Sequence, residues 1–195
     1  MDDQLLPLPL TEPSVHLCVD MRRIFSAEGP WPTPWMDRVL PVAAVLANRH
    51  PERTIFTRFI PPERPDQMPG MWRRYYTRWR VAIRKCLDLR LCAALCPPAT
   101  VIDKTRCSAL AEPGLVEHLR QREADALIVS GSETDVCVLA TVLDAVDIGY
   151  RVIVVRDAVC SSSDEGHDML MRLYNTRYSE QIETAEAAAI LARWE

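Results

Sequence analysis

The stretch Ala126–Ala145, ALIVSGSETDVCVLATVLDA, decides how the chain is read. Ala126 to Val129 is a short apolar run that stops at Ser130-Gly131-Ser132. From Thr134 a new period begins, with apolar residues at Val136, Leu139, Ala140, Leu143 and Ala145. This is the pattern of a strand, a tight turn and a helix. Thr134 is placed to cap the helix through its hydroxyl, Asp135 lies in the first turn where the helix dipole favours an anion, and Cys137 falls about one turn in. A thiol at that position is expected to have a lowered pKa, and thiolate is the nucleophilic form of cysteine. The competing reading is a packed core cysteine, since cysteine is among the most buried residue types.

Outward from this unit, strands and helices alternate. Upstream, Val15–Val19 is an almost continuous apolar run, as in a strand buried on both faces of a parallel sheet, and it ends at Asp20. Met36–Asn48 has the period of an amphipathic helix, Arg53–Phe59 reads as a second strand, and Ala99–Asp103 as a third that delivers Lys104 at its end. Gly114–Arg122 is then a crossover helix. Downstream, Gly149 is a C-cap, Tyr150–Val155 a buried strand closing at Arg156-Asp157, Ser163 or Asp164 the start of a helix through Tyr174, Gln181 and Ile182 an edge strand, and Thr184 the cap of a last helix. This order predicts one three-layer α/β/α domain over 15–195 with a mostly parallel sheet, preceded by an extended proline-interrupted arm over 1–14. In such sheets functional groups collect beyond the carboxyl ends of the strands, where Asp20, Lys104 and Cys137 all stand.

Composition narrows the class. A chain of 195 residues, 48% hydrophobic and 26% charged, is ordinary for a globular domain. The net charge of −4 argues against a nucleic-acid binder. Seven cysteines, at 18, 86, 92, 96, 107, 137 and 160, have no framework spacing, and nothing near Met1 looks like a signal peptide, so a reducing, cytoplasmic setting is expected. No apolar stretch reaches the roughly 20 residues of a bilayer span. The spacing of Cys86, Cys92 and Cys96 does not form structural zinc knuckles, and the four histidines show no ligand pairing, so neither a metal nor another cofactor is expected. Met71–Lys85 sets Trp72, Tyr75, Tyr76 and Trp79 at helical spacing among arginines. Base stacking, packing on the domain or on a subunit partner, and lining of a substrate pocket are three readings of that face. The aromatic density of the first half predicts a homo-oligomer that covers it.

Three segments in order carry a resemblance: HLCVDMRRIF at 16–25, ATVIDKTRCSAL at 99–110, and GSETDVCVLAT at 131–141. The last resembles the nucleophile segment of the isochorismatase-like cysteine hydrolases, related to nicotinamidase and N-carbamoylsarcosine amidase, with the pattern G-x-x-T-x-x-C-V-x-x-T. The other two resemble that family's strand ending in Asp and its K-x-x-x-S segment. The resemblance implies a catalytic site of Asp20, Lys104 and Cys137, an oxyanion hole from the backbone N–H groups of Glu133 and Cys137, and a cis peptide at Ser132–Glu133. A thiol nucleophile needs a base, which Asp20 would be, and a charge balance, which Lys104 would supply. The chain departs from the family pattern at Arg22, where many relatives have Gln, and at Leu110, where many have an aromatic residue. Thr57-Arg58-Phe59 stands where metal-dependent relatives carry Asp-x-His, which disfavours that branch.

The function expected is hydrolysis of a carbon–nitrogen bond in a small amide, ureide or carbamoyl substrate through a covalent Cys137 intermediate. Arg22 or Arg58 is expected to grip a substrate carboxylate and Trp72 to line the pocket. Three alternatives stand beside it: a catalytically silent interaction protein of the same fold, an enol-ether hydrolase, and a redox protein. The redox reading asks for a resolving thiol, and no CxxC surrounds Cys137.

Overall fold

A computed structural model describes residues 9–29, 31–79 and 99–195. Its centre is a six-stranded sheet of order β3-β2-β1-β4-β5-β6 in which every pairing is parallel. The strands are β1 (Val15–Val19), β2 (Thr54–Phe59), β3 (Thr100–Lys104), β4 (Ala126–Ser132), β5 (Arg151–Cys160) and β6 (Ile182–Ala185). Helices α1 (Met36–Arg49), α2 (Gly70–Arg78), α3 (Pro113–Gln121), α4 (Leu139–Ile148), α5 (Asp164–Thr176) and α6 (Ala187–Leu191) lie between or after them. Parallel strands need crossovers, and helices that cover both faces leave central strands with no polar side: β1 and β4 are buried at every residue.

Alternation along the strands feeds two cores. Cys18, Phe56, Ile128 and Ile153 face one side, with α1, α6 and the fully buried Trp194. Leu17, Ile55, Leu127 and Val152 face the other, with α3, α4 and α5. His16, in the middle of β1, is fully buried, with Nε2 2.7 Å from Ser130 Oγ and Nδ1 3.4 Å from Thr54 Oγ1. Burial lowers its pKa to about 3, so the ring is neutral and serves as a polar tie across three strands. The described end of the N-terminal arm is packed, with Leu10 buried and bridged to Trp194.

Two local expectations are corrected. β5 runs on through Arg156 and Asp157 to Cys160, because a register shift opposite Val129 and Gly131 re-pairs its second half. Thr184 lies inside β6 and donates to Asn175 Oδ1 instead of capping a helix; Glu186 precedes α6. The aromatic helix is described to Arg78, with Trp79 as its C-cap; residues 80–85 of the expected segment, and beyond it Cys86, Cys92 and Cys96, lie outside the described residues. No helix among the described residues is long and apolar enough to cross a membrane.

The strand order changes direction between β1 and β4, which opens a crevice at their carboxyl ends. Gly131 sets how close the two strands come there. Its φ is +118°, and a Cβ on it would lie 2.0 Å from the Val19 carbonyl oxygen, so only glycine fits.

Candidate active site

Asp20, Lys104 and Cys137 meet at this crevice. Asp20 follows β1 in a left-handed turn with φ +53°, a conformation that Asp tolerates better than most residues. Its Oδ1 accepts from Thr57 Oγ1 at 3.1 Å, and its Oδ2 lies 2.6 Å from Lys104 Nζ. Both partners of this ion pair are fully buried. The ammonium also donates to the carbonyls of Arg106 and Cys107, each at 2.9 Å, and sits 5.1 Å from the centre of the Phe59 ring. All three of its donors are therefore engaged. Burial opposes the lysine charge, but the Asp20 carboxylate and then Cys137 outweigh it, so the Lys104 pKa stands above its ordinary value.

Cys137 lies after β4, in one wide turn of π-helix (Thr134–Val138) that leads into α4. The peptide Ser132–Glu133 that opens this turn is cis. Thr134 does not cap the helix as expected: Glu133 is the N-cap residue, and the Thr134 hydroxyl lies 3.0 Å from His167 Nδ1. Asp135 accepts from Ser161 at 2.6 Å. Thr141 clamps two segments together, its hydroxyl donating to the Cys137 carbonyl at 2.7 Å and accepting from the Ala109 N–H at 3.0 Å. That clamp draws the loop after β3 onto the cysteine turn. It brings in a residue that the sequence reading passed over: Cys107 is hydrogen-bonded to Cys137, thiol to thiol.

This neighbour reverses the expected thiol pKa. Cys137 is pushed well above the usual cysteine value by its hydrogen bond with Cys107, by burial and by the Asp20 charge, with Lys104 pulling the other way. Cys107 is lowered to about 7, chiefly by the same hydrogen bond and with help from Lys104, against burial and Asp20. The helix start alone would have favoured the Cys137 thiolate, but the adjacent sulfur and carboxylate dominate.

The two thiols open on a cavity of about 320 Å³. Phe25, Trp31, Phe59, Met71, Trp72, Tyr75, Glu133 and Val136 form the rest of its described wall. Phe25 and Trp31 stack with centroids 6.2 Å apart, and Trp72 meets Tyr75 edge-on at 5.6 Å. Tyr75 has its pKa pushed up to about 12 by burial and then by Cys107, Cys137 and Glu133 around it. The aromatic face of α2 thus does two jobs: Trp72 and Tyr75 line the cavity, while Tyr76 is fully buried against the domain. Arg73, Arg74 and Arg78 are exposed.

Trp72 is where the sequence reading put it, but neither expected arginine reaches the cavity. Arg22 is fully buried, because the Asp20 turn folds the chain back, with the Arg22 N–H donating to the Asp20 carbonyl, and its guanidinium donates to the Phe59 carbonyl. Arg58 points off the sheet and pairs with Asp103, its register partner on β3, through two hydrogen bonds of 2.6 and 2.9 Å. The one charged residue on the described wall is acidic: Glu133, whose carboxylate accepts from both the N–H and the hydroxyl of Ser162. At the metal motif's position, the Thr57 hydroxyl serves Asp20 and Arg58 serves Asp103, so these side chains offer no ligand set; no group of three or more His, Cys, Asp or Glu among the described residues is placed to hold a metal ion.

The Isochorismatase domain model matches residues 14–186. The chain belongs to the isochorismatase family. Among its relatives are a maleamate amidohydrolase from Pseudomonas putida, 26% identical over 67% of this chain and 61% of that protein, and a nicotinamidase from Escherichia coli, 54% identical over 22% and 20%. An uncharacterized isochorismatase family protein of Bacillus subtilis is 42% identical over 36% of this chain and 39% of its own length. These matches span less than two thirds of each curated relative. Over the whole fold, a cysteine hydrolase structure from Pseudomonas syringae superposes with a TM-score of 0.81 at 22% identity, covering 99% of this chain and 98% of that one. An isochorismatase family protein from Desulfovibrio vulgaris gives 0.77 at 23% identity over 94% and 100%. Named members of the isochorismatase family are hydrolases.

Proposed function

We propose that this isochorismatase-family protein hydrolyses the carbon–nitrogen bond of a small, uncharged amide-type substrate, with Cys137 as nucleophile, Asp20 as acid and base, and Lys104 as their electrostatic partner. The observation that carries the reading is the convergence of a buried carboxylate, a buried ammonium and a thiol beside one aromatic cavity. Because Cys137 rests as a thiol, it attacks only if its proton has somewhere to go, and Asp20 is the base in reach.

In the first half-reaction Asp20 takes the thiol proton as Sγ adds to the carbonyl carbon. The oxyanion forms against the backbone N–H groups of Glu133 and Cys137, and collapse expels the nitrogen with the proton that Asp20 returns. In the second half, Asp20 takes a proton from water as its oxygen adds to the thioester, and the acid leaves as Sγ recovers its proton. Lys104 stays cationic throughout, since its pKa is raised, and offsets the negative charge that passes between carboxylate, thiolate and oxyanion.

The cavity wall supports the substrate class. Five aromatic rings and Met71 favour a flat or apolar group, and Glu133 as the charged residue on the described wall disfavours a substrate carboxylate. The maleamate amidohydrolase and nicotinamidase among the relatives name amide hydrolysis as a chemistry of the family. The test is a screen of neutral and acidic amides and ureides for released ammonia or amine, with intact-mass detection of an acyl adduct on Cys137. Turnover that survives Cys137→Ala, or a preference for acidic amides, overturns the reading.

A further inference from the structure

We infer that Cys107 is a resolving thiol for Cys137, and that a peroxide closes a reversible disulfide between them that takes the nucleophile out of service. The functional half of this inference rests on the reading of Cys137 as nucleophile; the disulfide itself does not.

The placement is what singles the pair out. Cys107 follows β3 and Cys137 follows β4, and nothing in their spacing relates them. The Thr141 hydroxyl, bonded to the Cys137 carbonyl and the Ala109 N–H, holds the two loops in contact. Lys104 reinforces this by taking the Cys107 carbonyl as an acceptor. The side chains then face each other, both thiols free and both on the cavity wall, where a small oxidant in solution reaches them. Cys18 and Cys160 are a contrast: both are fully buried in the core of the sheet, away from the cavity. A disulfide asks the two Cβ atoms to come to about 4 Å, an approach that the irregular loop after β3, tied to the Cys137 turn through Thr141, can make without unfolding a strand.

The chemistry balances with a peroxide as the oxidant. With Asp20 taking its proton, the Cys137 sulfur attacks one peroxide oxygen; the O–O bond breaks, and with hydrogen peroxide the leaving hydroxide takes up that proton as water, giving a sulfenic acid on Cys137. The Cys107 thiolate, favoured by Lys104, then attacks the sulfenic sulfur of Cys137, the S–S bond forms, and the sulfenic oxygen leaves as water with a proton. Two thiols supply two electrons to one hydrogen peroxide, and two waters result. A dithiol reverses it by exchange. Without Cys107 as a partner, continued exposure carries Cys137 to the sulfinic acid, which a dithiol does not reduce.

The experiment uses the reduced full chain, titrated with hydrogen peroxide, then alkylated, digested and mapped by mass spectrometry. The expected result is a cross-linked peptide joining Cys107 to Cys137, an intact mass lower by two hydrogens, and full reversal by dithiothreitol. In Cys107→Ser, or in Cys107→Ala if the serine variant does not fold, the cross-link is absent and Cys137 gains two oxygens irreversibly. Equal sulfinic acid at Cys137 in wild type and variant, or cross-links that pair other cysteines in its place, overturns the inference. Amide turnover is followed in parallel. Cross-linking in a protein that turns over no amide even when reduced sinks the hydrolase reading alone, whereas turnover undiminished after complete cross-linking sinks the switch.

Discussion

Replacing Lys104 with methionine tests how the buried Asp20–Lys104 pair is held. The substitution keeps the volume and removes the charge, leaving Asp20 fully buried with the Thr57 hydroxyl and without the ammonium at 2.6 Å. Removing one partner of a buried ion pair costs about 3 to 5 kcal/mol, and here the carbonyls of Arg106 and Cys107 also lose a donor. Asp20→Asn strands the ammonium instead, and asparagine accepts the left-handed backbone, so its cost is electrostatic and not conformational. The double variant Asp20→Asn/Lys104→Met has no orphaned charge and should lose about 2 to 4 kcal/mol less than the two singles summed. Urea unfolding of the four proteins at neutral pH gives the cycle. The sign with pH follows from the raised Lys104 pKa. Its contribution is complete below the unfolded lysine value, near 10.4, and fades only as pH climbs through the higher folded value, so the gap between wild type and Lys104→Met should not shrink between neutral pH and about 9.5. Single costs that add to within about 0.5 kcal/mol would show that the two groups are not coupled and would refute the argument.

Three shorter predictions follow from other parts of the molecule. His16 is held neutral with a pKa near 3, so unfolding below its free value of about 6.5 takes up a proton there; stability should fall by roughly 1.4 kcal/mol per pH unit on that account, and His16→Asn should flatten the slope between pH 6.5 and 5 by that amount in acid-series urea melts. Equal slopes would exclude His16 as the source. Gly131→Ala should cost more than about 3 kcal/mol or prevent folding, because its Cβ would enter the β1 backbone, whereas Gly149→Ala, at φ +101° with open space around it, should cost about 1 kcal/mol; comparable thermal melts for the two would contradict this. Glu133→Gln keeps an oxygen for Ser162 but removes the negative charge from the cavity wall, and should raise kcat/KM for carboxylate-bearing amides by roughly fivefold, about 1 kcal/mol, with little effect on neutral ones. A uniform change across both substrate classes would remove the charge from the explanation.

The fold was legible because its strands are short, nearly continuous apolar runs that end abruptly. Val15–Val19 and Ala126–Val129 have no polar face to expose, which fits only strands covered on both sides, and the helices between them have the right period. What failed were ends decided by neighbours. Arg156 and Asp157 look like a strand terminus, but the bulge opposite Gly131 gives the chain beyond them a new partner register. Thr184 has the composition of a cap, and an asparagine on α5 takes its hydroxyl instead. The helical spacing of Trp72, Tyr75 and Tyr76 was readable, but which ring met the cavity and which met the core depends on where α2 sits over β2, and no periodicity carries that.

The site divides along the same line. The resemblance to the isochorismatase-like hydrolases singled out Asp20, Lys104 and Cys137, and the strand ends say why they can meet, since side chains just past the carboxyl ends of neighbouring strands share a crevice. Arg22 and Cys107 needed three-dimensional facts. Two residues past Asp20, an extended chain would aim Arg22 at the substrate; the left-handed turn at Asp20 buries it on the Phe59 carbonyl. Three residues past Lys104, Cys107 has no sequence relation to Cys137, and Thr141, four residues after Cys137, makes them neighbours. That contact also changes the chemistry. A cysteine judged from its helix start alone should idle as a thiolate, reactive toward any electrophile. With Cys107 and Asp20 beside it, the Cys137 thiol is held above its ordinary pKa, so in the proposed mechanism proton transfer to Asp20 and attack on the amide would occur together. The same arrangement leaves the lower-pKa sulfur of the pair on Cys107, the one that the proposed mechanism does not bond to substrate, where it can resolve a sulfenic acid on Cys137.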